Sequence, residues 1–192
     1  MSTPEEVLSF WLDECEPKDW YVENPELDAT IRSRFEPVWN KAMQGGLGQW
    51  MAYASGCLAY VILTDQFSRN MFRGTGKAFA SDYAARAVAK QAISKGWDLR
   101  IDEPARQFFY TPLLHSENLC DQERCVRLMK ERLNMGDGNL LHAKAHRAVI
   151  REFGRFPYRN EALGRKSTVA EQAYVAKGGY GFTVQGLQAQ AA

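Results

Sequence analysis

Long apolar runs are missing from this sequence of 192 residues. No run approaches the roughly 20 residues that a membrane-spanning helix needs, and the first six residues lack the basic and apolar regions of a signal peptide. Charge of one sign is missing too, because 24 basic residues stand against 23 acidic ones, for a net charge of +1. This balance favours neither a nucleic-acid surface nor a polybasic membrane face. We therefore predict a cytoplasmic protein with no nucleic-acid or membrane partner; the sequence leaves the oligomeric state open.

Metal-binding patterns are weak. The four cysteines show neither a Cys-x-x-Cys pair nor the spacing of metal ligands, and in a reducing compartment we expect free thiols. They are Cys15, Cys57, Cys120 and Cys125. His142 and His146 are four apart, which suits two ligands on one helical face. However, Ala143 follows His142, where the His-Glu-x-x-His pattern needs glutamate. We predict no metal and no cofactor.

Sustained alternation of polar and apolar residues, the mark of β-strands, is also missing. Helix-start signals are frequent instead: Thr3 with Glu6, and Thr168 with Glu171, have the spacing of capping boxes. Ser116 is predicted to cap a helix over residues 117–133, and residues 135–138 to form the turn after it. We predict an all-α protein of seven to eight helices in antiparallel pairs.

The predicted helices are joined by short connections, which favours a single helical domain over residues 1–182. The remaining residues, 183–192, are rich in Gly, Gln and Ala. We predict that they form a flexible C-terminal tail.

An unusual mixture of residue types occurs over residues 63–82, after an almost wholly apolar run at residues 57–63. A solvated loop would not need its large apolar residues, and a core segment would not tolerate its polar ones unless they were paired or faced a ligand or water. The polar residues are Asp65, Gln66, Arg69, Asn70 and Arg73. We predict that this stretch lines an internal cleft.

Two arginines of this stretch suggest anion binding. Arg69 and Arg73 are four apart, so on a helix they lie on one face and could clamp a carboxylate or phosphate. In the alternative interpretation they pair with Asp65, Asp82 or Glu117 and hold helices together.

A second polar stretch covers residues 115–122. His115 lies just before a predicted helix N-terminus, where the helix dipole disfavours a proton on the imidazole. A neutral His115 could act as a base or a hydrogen-bond partner. The alternative is a structural histidine bonded to a backbone carbonyl.

A third polar stretch covers residues 146–165, which begin with His146 and hold several arginines around aromatic residues and a Gly/Pro turn. This composition suits anion capture and equally suits an arginine network that closes a helix end. The arginines beyond residue 150 are Arg151, Arg155, Arg159 and Arg165.

These stretches resemble the hallmarks of a bacterial family known as domain of unknown function 924. The similar segments are Leu-Thr-Asp-Gln-Phe-Ser-Arg-Asn-Met-Phe-Arg-Gly at residues 63–74, Pro-Leu-Leu-His-Ser-Glu at 112–117, and Arg-Glu-Phe-Gly-Arg-Phe-Pro-Tyr-Arg-Asn at 151–160. The resemblance implies a helical fold like that of tetratricopeptide-repeat proteins, without their repeat consensus, and no particular activity. Tyr158 stands where many relatives are expected to have histidine, and Ser68 where proline is expected.

Our leading hypothesis is a soluble helical protein whose polar, arginine-rich cleft binds a small anionic molecule or a peptide carboxylate. The predicted binding residues are Gln66, Arg69, Asn70, Arg73, Arg155 and Arg159. The alternative is an enzyme, a hydrolase or transferase, in which His146 or His115 works with Asp65 or Glu117 as its carboxylate partner. In a further alternative, the three stretches form one buried polar network that fixes helix register.

Overall fold

The computed structural model describes residues 3–134 and 137–191, and all regular structure within these ranges is helical. The predicted all-α class is confirmed. Residues 135 and 136 of the predicted turn over residues 135–138 lie outside the described residues. The α-helices are α1 (Pro4–Ser9), α2 (Pro25–Met43), α3 (Ala54–Val61), α4 (Phe67–Met71), α5 (Asp82–Ser94), α6 (Thr111–Leu114), α7 (Leu119–Arg132), α8 (Asp137–Phe153), α9 (Val169–Ala176) and α10 (Gly179–Ala191).

The chain divides into two compact units, unit 1 (Met1–Pro112) and unit 2 (Leu113–Ala192). The single domain over residues 1–182 and the flexible tail over residues 183–192 stay predictions. Most of the predicted tail belongs to α10, where alanine, glutamine and leucine favour the helix despite the glycines. Over the described ranges, no helix has the length and apolar content needed to cross a bilayer.

The core of unit 1 is aromatic. α3 continues through a wider turn of π-helix, Ile62–Gln66, directly into α4, and nearly every side chain along this path is buried. Phe67 lies at the centre of this aromatic core. Its ring centroid is 4.8 Å from that of Phe35 and 5.3 Å from that of Trp11. The segment is central because its apolar residues face all sides of the helix.

In unit 2, α7 packs against α8, and α8 packs against α10. The predicted capping box of α9 is confirmed, as is that of α1 in unit 1. The predicted cap of α7 is wrong. Asn118 caps this helix, accepting hydrogen bonds from the N–H groups of Cys120 and Asp121, while the Ser116 hydroxyl donates to the Asp121 carboxylate at 2.9 Å.

Candidate functional site

Arg69 in unit 1 is held by two carboxylates. Its Nη1 lies 3.1 Å from Oδ1 of the fully buried Asp65 and 3.0 Å from Oδ1 of Asp82, at the start of α5. The same nitrogen donates to the Asp65 carbonyl oxygen at 2.8 Å. The alternative in which Arg69 pairs with Asp65 and Asp82 is confirmed, and these contacts join α4 to α5.

The other predicted binding side chains of unit 1 also contact protein partners. Arg73 donates from Nε and Nη2 to the two carboxylate oxygens of Asp28, at 2.7 and 3.0 Å, and Asn70 donates to the same carboxylate at 2.8 Å. Gln66 donates to Asp65 at 2.6 Å and to Thr111 at 3.2 Å. A ligand-binding role for these residues stays a prediction, and the contacts favour the structural alternative.

Ser68, one of the two departures from the family pattern, belongs to a buried hydroxyl network. Its Oγ accepts from Trp39 Nε1 at 2.7 Å and donates to the Thr64 carbonyl oxygen at 2.9 Å. Since the indole N–H of a buried tryptophan needs an acceptor, Ser68 has a packing role in unit 1.

In unit 2, Glu117 is held by Arg165 in a two-point contact. Arg165 Nη1 lies 2.7 Å from Oε2 and Nη2 lies 3.0 Å from Oε1, which also accepts from the Phe156 N–H at 2.8 Å. Burial alone would raise the pKa of Glu117, but the Arg165 guanidinium and the Phe156 N–H outweigh it and lower that pKa. A charged carboxylate with these contacts fixes the loop after α8, and its predicted role as the partner of a histidine stays a prediction.

Arg155 makes a similar two-point contact with Glu171 at the start of α9. Its Nε and Nη2 lie 2.6 and 2.8 Å from the two carboxylate oxygens, and Nη2 also donates to the Lys166 carbonyl oxygen at 2.9 Å. The Arg155 guanidinium, together with the Thr168 N–H, lowers the pKa of Glu171 to about 2. These contacts favour a structural role for Arg155, which closes the segment between α8 and α9.

The Glu171 contacts predict an acid-sensitive unit 2. Because the pKa of Glu171 in the folded chain, about 2, is below the ordinary value of 4.5, the unfolded chain binds more protons between these values. The stabilisation is complete above about pH 4.5 and is lost as the pH falls towards about 2. Melting curves by far-ultraviolet circular dichroism should show this loss, and it should be smaller in Arg155→Gln.

The control for this prediction is Lys166→Gln, which removes a nearby positive charge and leaves the bonds to Glu171 in place. It should keep the acid dependence of the original chain. An Arg155→Gln variant whose melting temperature falls with acid as steeply as that of the original chain would contradict the prediction.

All three histidines of the chain lie together in unit 2. The His146 ring centroid is 6.1 Å from that of His115 and 4.5 Å from that of Tyr180, whose hydroxyl lies 2.6 Å from Nδ1 of His142. Tyr158 lies 6.2 Å from Tyr180, centroid to centroid. We call this group, together with Arg159, the histidine cluster; its members are His115, His142, His146, Tyr158, Arg159 and Tyr180.

His146 has a defined tautomer. Its Nδ1 lies 2.9 Å from the His142 carbonyl oxygen, one helical turn earlier in α8. A carbonyl oxygen only accepts, so Nδ1 carries the hydrogen, and in the neutral ring Nε2 keeps its lone pair. Burial, and next the neighbouring His115, hold the pKa of His146 well below 6.5. The neutral ring with an unprotonated Nε2 therefore predominates at neutral pH.

Arg159 brings a positive charge into the cluster. It is only 7% exposed, donates from Nη1 to the His115 carbonyl oxygen at 3.1 Å, and lies with its guanidinium carbon 4.5 Å from the Phe156 ring centroid. Burial raises the pKa of both Tyr158 and Tyr180, so their phenol groups stay protonated and can donate. The described residues contain no group of three or more His, Cys, Asp or Glu side chains that could hold a metal ion.

Sequence reasoning found His115, His146 and Arg159 but missed three members of the cluster. Tyr180 lies just before the predicted tail, the sequence marks Tyr158 only as a departure from the family pattern, and the spacing of His142 points only to a metal ligand. The four-residue spacing of His142 and His146 was the one local signal, because it places both rings on one face of α8.

Comparisons with known proteins agree with this fold. No curated protein matches the chain. A solved structure of a protein of unknown function from Agrobacterium tumefaciens is similar to it, with 35% sequence identity, coverage of 90% of this chain and 96% of that chain, and a TM-score of 0.84. A family model described as "Bacterial protein of unknown function (DUF924)" matches residues 7–179. Because this match spans nearly the whole chain, the protein belongs to the bacterial DUF924 family.

Proposed function

We propose that this protein binds a small anionic molecule or a peptide carboxylate at the histidine cluster of unit 2. The observation that carries the proposal is the meeting of all three histidines beside a nearly buried arginine. Arg159 supplies the positive charge, since a guanidinium suits carboxylate and phosphate groups. The phenol groups of Tyr158 and Tyr180 supply donors to the anion, and Nε2 of His146 supplies an acceptor for a hydroxyl or N–H group of the ligand.

Tyr158 gives the cluster a ring that solvent reaches. The residue keeps 37% of its surface exposed, and burial raises the pKa of its phenol, which therefore stays protonated. A protonated phenol with an exposed surface can donate a hydrogen bond to a ligand that arrives from solvent.

The proposed anion site does not include the other predicted binding arginines. Arg69, Arg73 and Arg155 each contact a carboxylate at 3.1 Å or less. A ligand at any of them would compete with a carboxylate that is already in place. The proposal retains Arg159 because it lies within the histidine cluster, where it donates to the His115 carbonyl oxygen.

An enzyme is the second candidate, and the fixed tautomer of His146 favours it. Nε2 could take a proton from a bound substrate, with the His142 carbonyl as the group that orients the ring. Glu117 contacts Arg165 through both carboxylate oxygens, and its role as the carboxylate partner stays a prediction. A hydrolase or a transferase is the class to assay first, and loss of turnover with unchanged binding in His146→Gln would identify it.

Three further properties belong to the proposal. The helices are proposed to follow a tetratricopeptide-repeat-like arrangement. The protein is proposed to act in the cytoplasm, since its four cysteines are free thiols, as suits a reducing compartment. Its partner is proposed to be a small molecule or peptide rather than nucleic acid or membrane, since its charges are nearly balanced.

A thermal-shift panel tests the proposed function. The probes are acetate, benzoate, succinate, inorganic phosphate and triglycine, each at several concentrations. A bound probe at 100 times its dissociation constant adds about 2.7 kcal/mol to stability, so the melting temperature should rise with concentration. The rise should disappear in Arg159→Gln and persist in Arg151→Gln, an exposed change that also removes a guanidinium. If no probe raises the melting temperature, or if Arg159→Gln keeps the rise, the proposal is wrong.

A further inference from the structure

Four consecutive carbonyl groups around His115 are bound by two buried side chains. Gln122 Nε2 lies 2.6 Å from the carbonyl oxygen of Leu114, 2.7 Å from that of Ser116 and 3.3 Å from that of Leu113. The carbonyl that Gln122 does not reach, that of His115 itself, accepts from Arg159 at 3.1 Å. The backbone on both sides of His115 is therefore fixed by side chains.

These hydrogen bonds give partners to the carbonyl groups at the C-terminal end of α6. The last carbonyl groups of a helix have no partner within it, and α6 ends at Leu114. Gln122 is fully buried on α7, so its amide reaches these carbonyls without competition from water. Its Oε1 is buried and has no hydrogen-bond partner, which indicates that the amide is oriented by what its N–H groups donate to.

Because this backbone is held in place, the Cα and Cβ atoms of His115 are held in place too. Once the peptide groups on both sides are held, only the two side-chain torsions decide where the imidazole lies. In the structure the ring faces His146, with their centroids 6.1 Å apart. The other polar groups near His146 are Tyr180, His142 and Arg159.

We infer that Gln122 is a positioning residue, which holds His115 against His146 and so sets the chemistry of the histidine cluster. The inference rests on the proposed function, because it gives Gln122 a role in the same site. In this role Gln122 donates its hydrogen bonds to backbone carbonyl oxygens. It acts through the backbone that carries His115.

A consequence for proton binding follows. Burial is the main cause of the low pKa of His146, and the neighbouring His115 is the next. If His115 is no longer held in place, its effect on the pKa of His146 weakens, whereas the effect of burial remains. The pKa of His146 should then rise part of the way towards the ordinary value of about 6.5.

The test is a proton-NMR pH titration of the histidine rings in the full chain and in Gln122→Met, which keeps the length of the side chain and removes its donors. Three histidines give three assignable ring signals. We expect the His146 midpoint to move upward and the His115 signal to change, whereas the His142 midpoint should stay, because burial alone accounts for its lowered pKa. The control is Gln107→Met in unit 1, which also removes a buried amide that donates to a backbone carbonyl. It should leave all three titrations unchanged.

A Gln122→Met chain that melts at a lower temperature but titrates like the original would overturn the inference and leave Gln122 a purely structural residue. Should this variant not fold, carbon-13 relaxation of the original chain decides instead: a rigid His115 ring supports the inference, and a ring that moves among rotamers overturns it. No anion takes part in these measurements. Their failure therefore leaves the proposed binding function standing, and failure of the probe panel leaves the inference testable.

Discussion

Replacing Asp65 with alanine should lower the free energy of unfolding of unit 1 by about 3 kcal/mol, the cost of removing one partner from a buried ion pair. The carboxylate is fully buried and accepts from Gln66 and Arg69. Of the two carboxylates that contact the Arg69 guanidinium, Asp65 and Asp82, the substitution leaves Asp82. Denaturant titration followed by tryptophan fluorescence measures the change, because all five tryptophans lie in unit 1.

The control for Asp65 is Glu14→Ala. Glu14 also makes a two-point contact with an arginine, Arg34, but both side chains are more than two-fifths exposed. Exposed pairs contribute at most about 1 kcal/mol, so the unfolding midpoint should move little. Equal effects of the two substitutions would show that the buried pair does not hold unit 1 together, and a role for Asp65 in a binding site would regain support.

The second large effect is expected from Glu117→Gln, which keeps the shape of the side chain and removes its charge. The new amide group would place N–H donors against Arg165, where the carboxylate now accepts two hydrogen bonds. We expect a loss of about 2 kcal/mol, typical of hydrogen bonds between charged groups in a half-buried place. Hydrogen exchange of the amide groups of unit 2 measures it, because tryptophan fluorescence reports on unit 1.

Glu123→Gln is the matched control for this prediction, since Glu123 lies six residues later, on α7, and is likewise held by arginines, Arg147 and Arg151. Its side chain is 42% exposed, and its loss should cost less than about 1 kcal/mol. Glu117→Gln should also keep any probe-induced rise in melting temperature. A stable Glu117→Gln chain that no longer responds to any probe would instead make Glu117 part of the binding site.

The features that the sequence predicted best depend on residues close together in the chain. The capping boxes of Thr3 with Glu6 and of Thr168 with Glu171 each depend on two residues that are three apart, and both are present in the structure. The pairing of Arg69 with Asp65 is a contact between neighbouring helical turns and was an explicit alternative. The predicted cap of α7 is wrong because two good candidates, Ser116 and Asn118, lie two residues apart. Asn118 caps the helix, and the Ser116 hydroxyl donates to the Asp121 carboxylate instead.

The candidate site was harder to predict, because chain segments far apart in sequence form it. His115 precedes α7, His146 lies on α8, Tyr158 lies in the loop after α8, and Tyr180 opens α10. No spacing in the sequence links these positions. The leading hypothesis also assigns these arginines to one polar cleft, whereas Arg69, Arg73 and Arg155 contact carboxylates and Arg159 lies within the histidine cluster.

The most direct test follows the histidine ring signals of the full chain while benzoate, and separately inorganic phosphate, is added at neutral pH. If the histidine cluster binds anions, at least one of the two should move the signals of His146 and His115 along a saturable curve. The same addition should leave the side-chain N–H signals of Arg69 and Arg73 where they are. Histidine signals that stay still while those arginine signals shift and saturate would contradict the account and place the anion in unit 1.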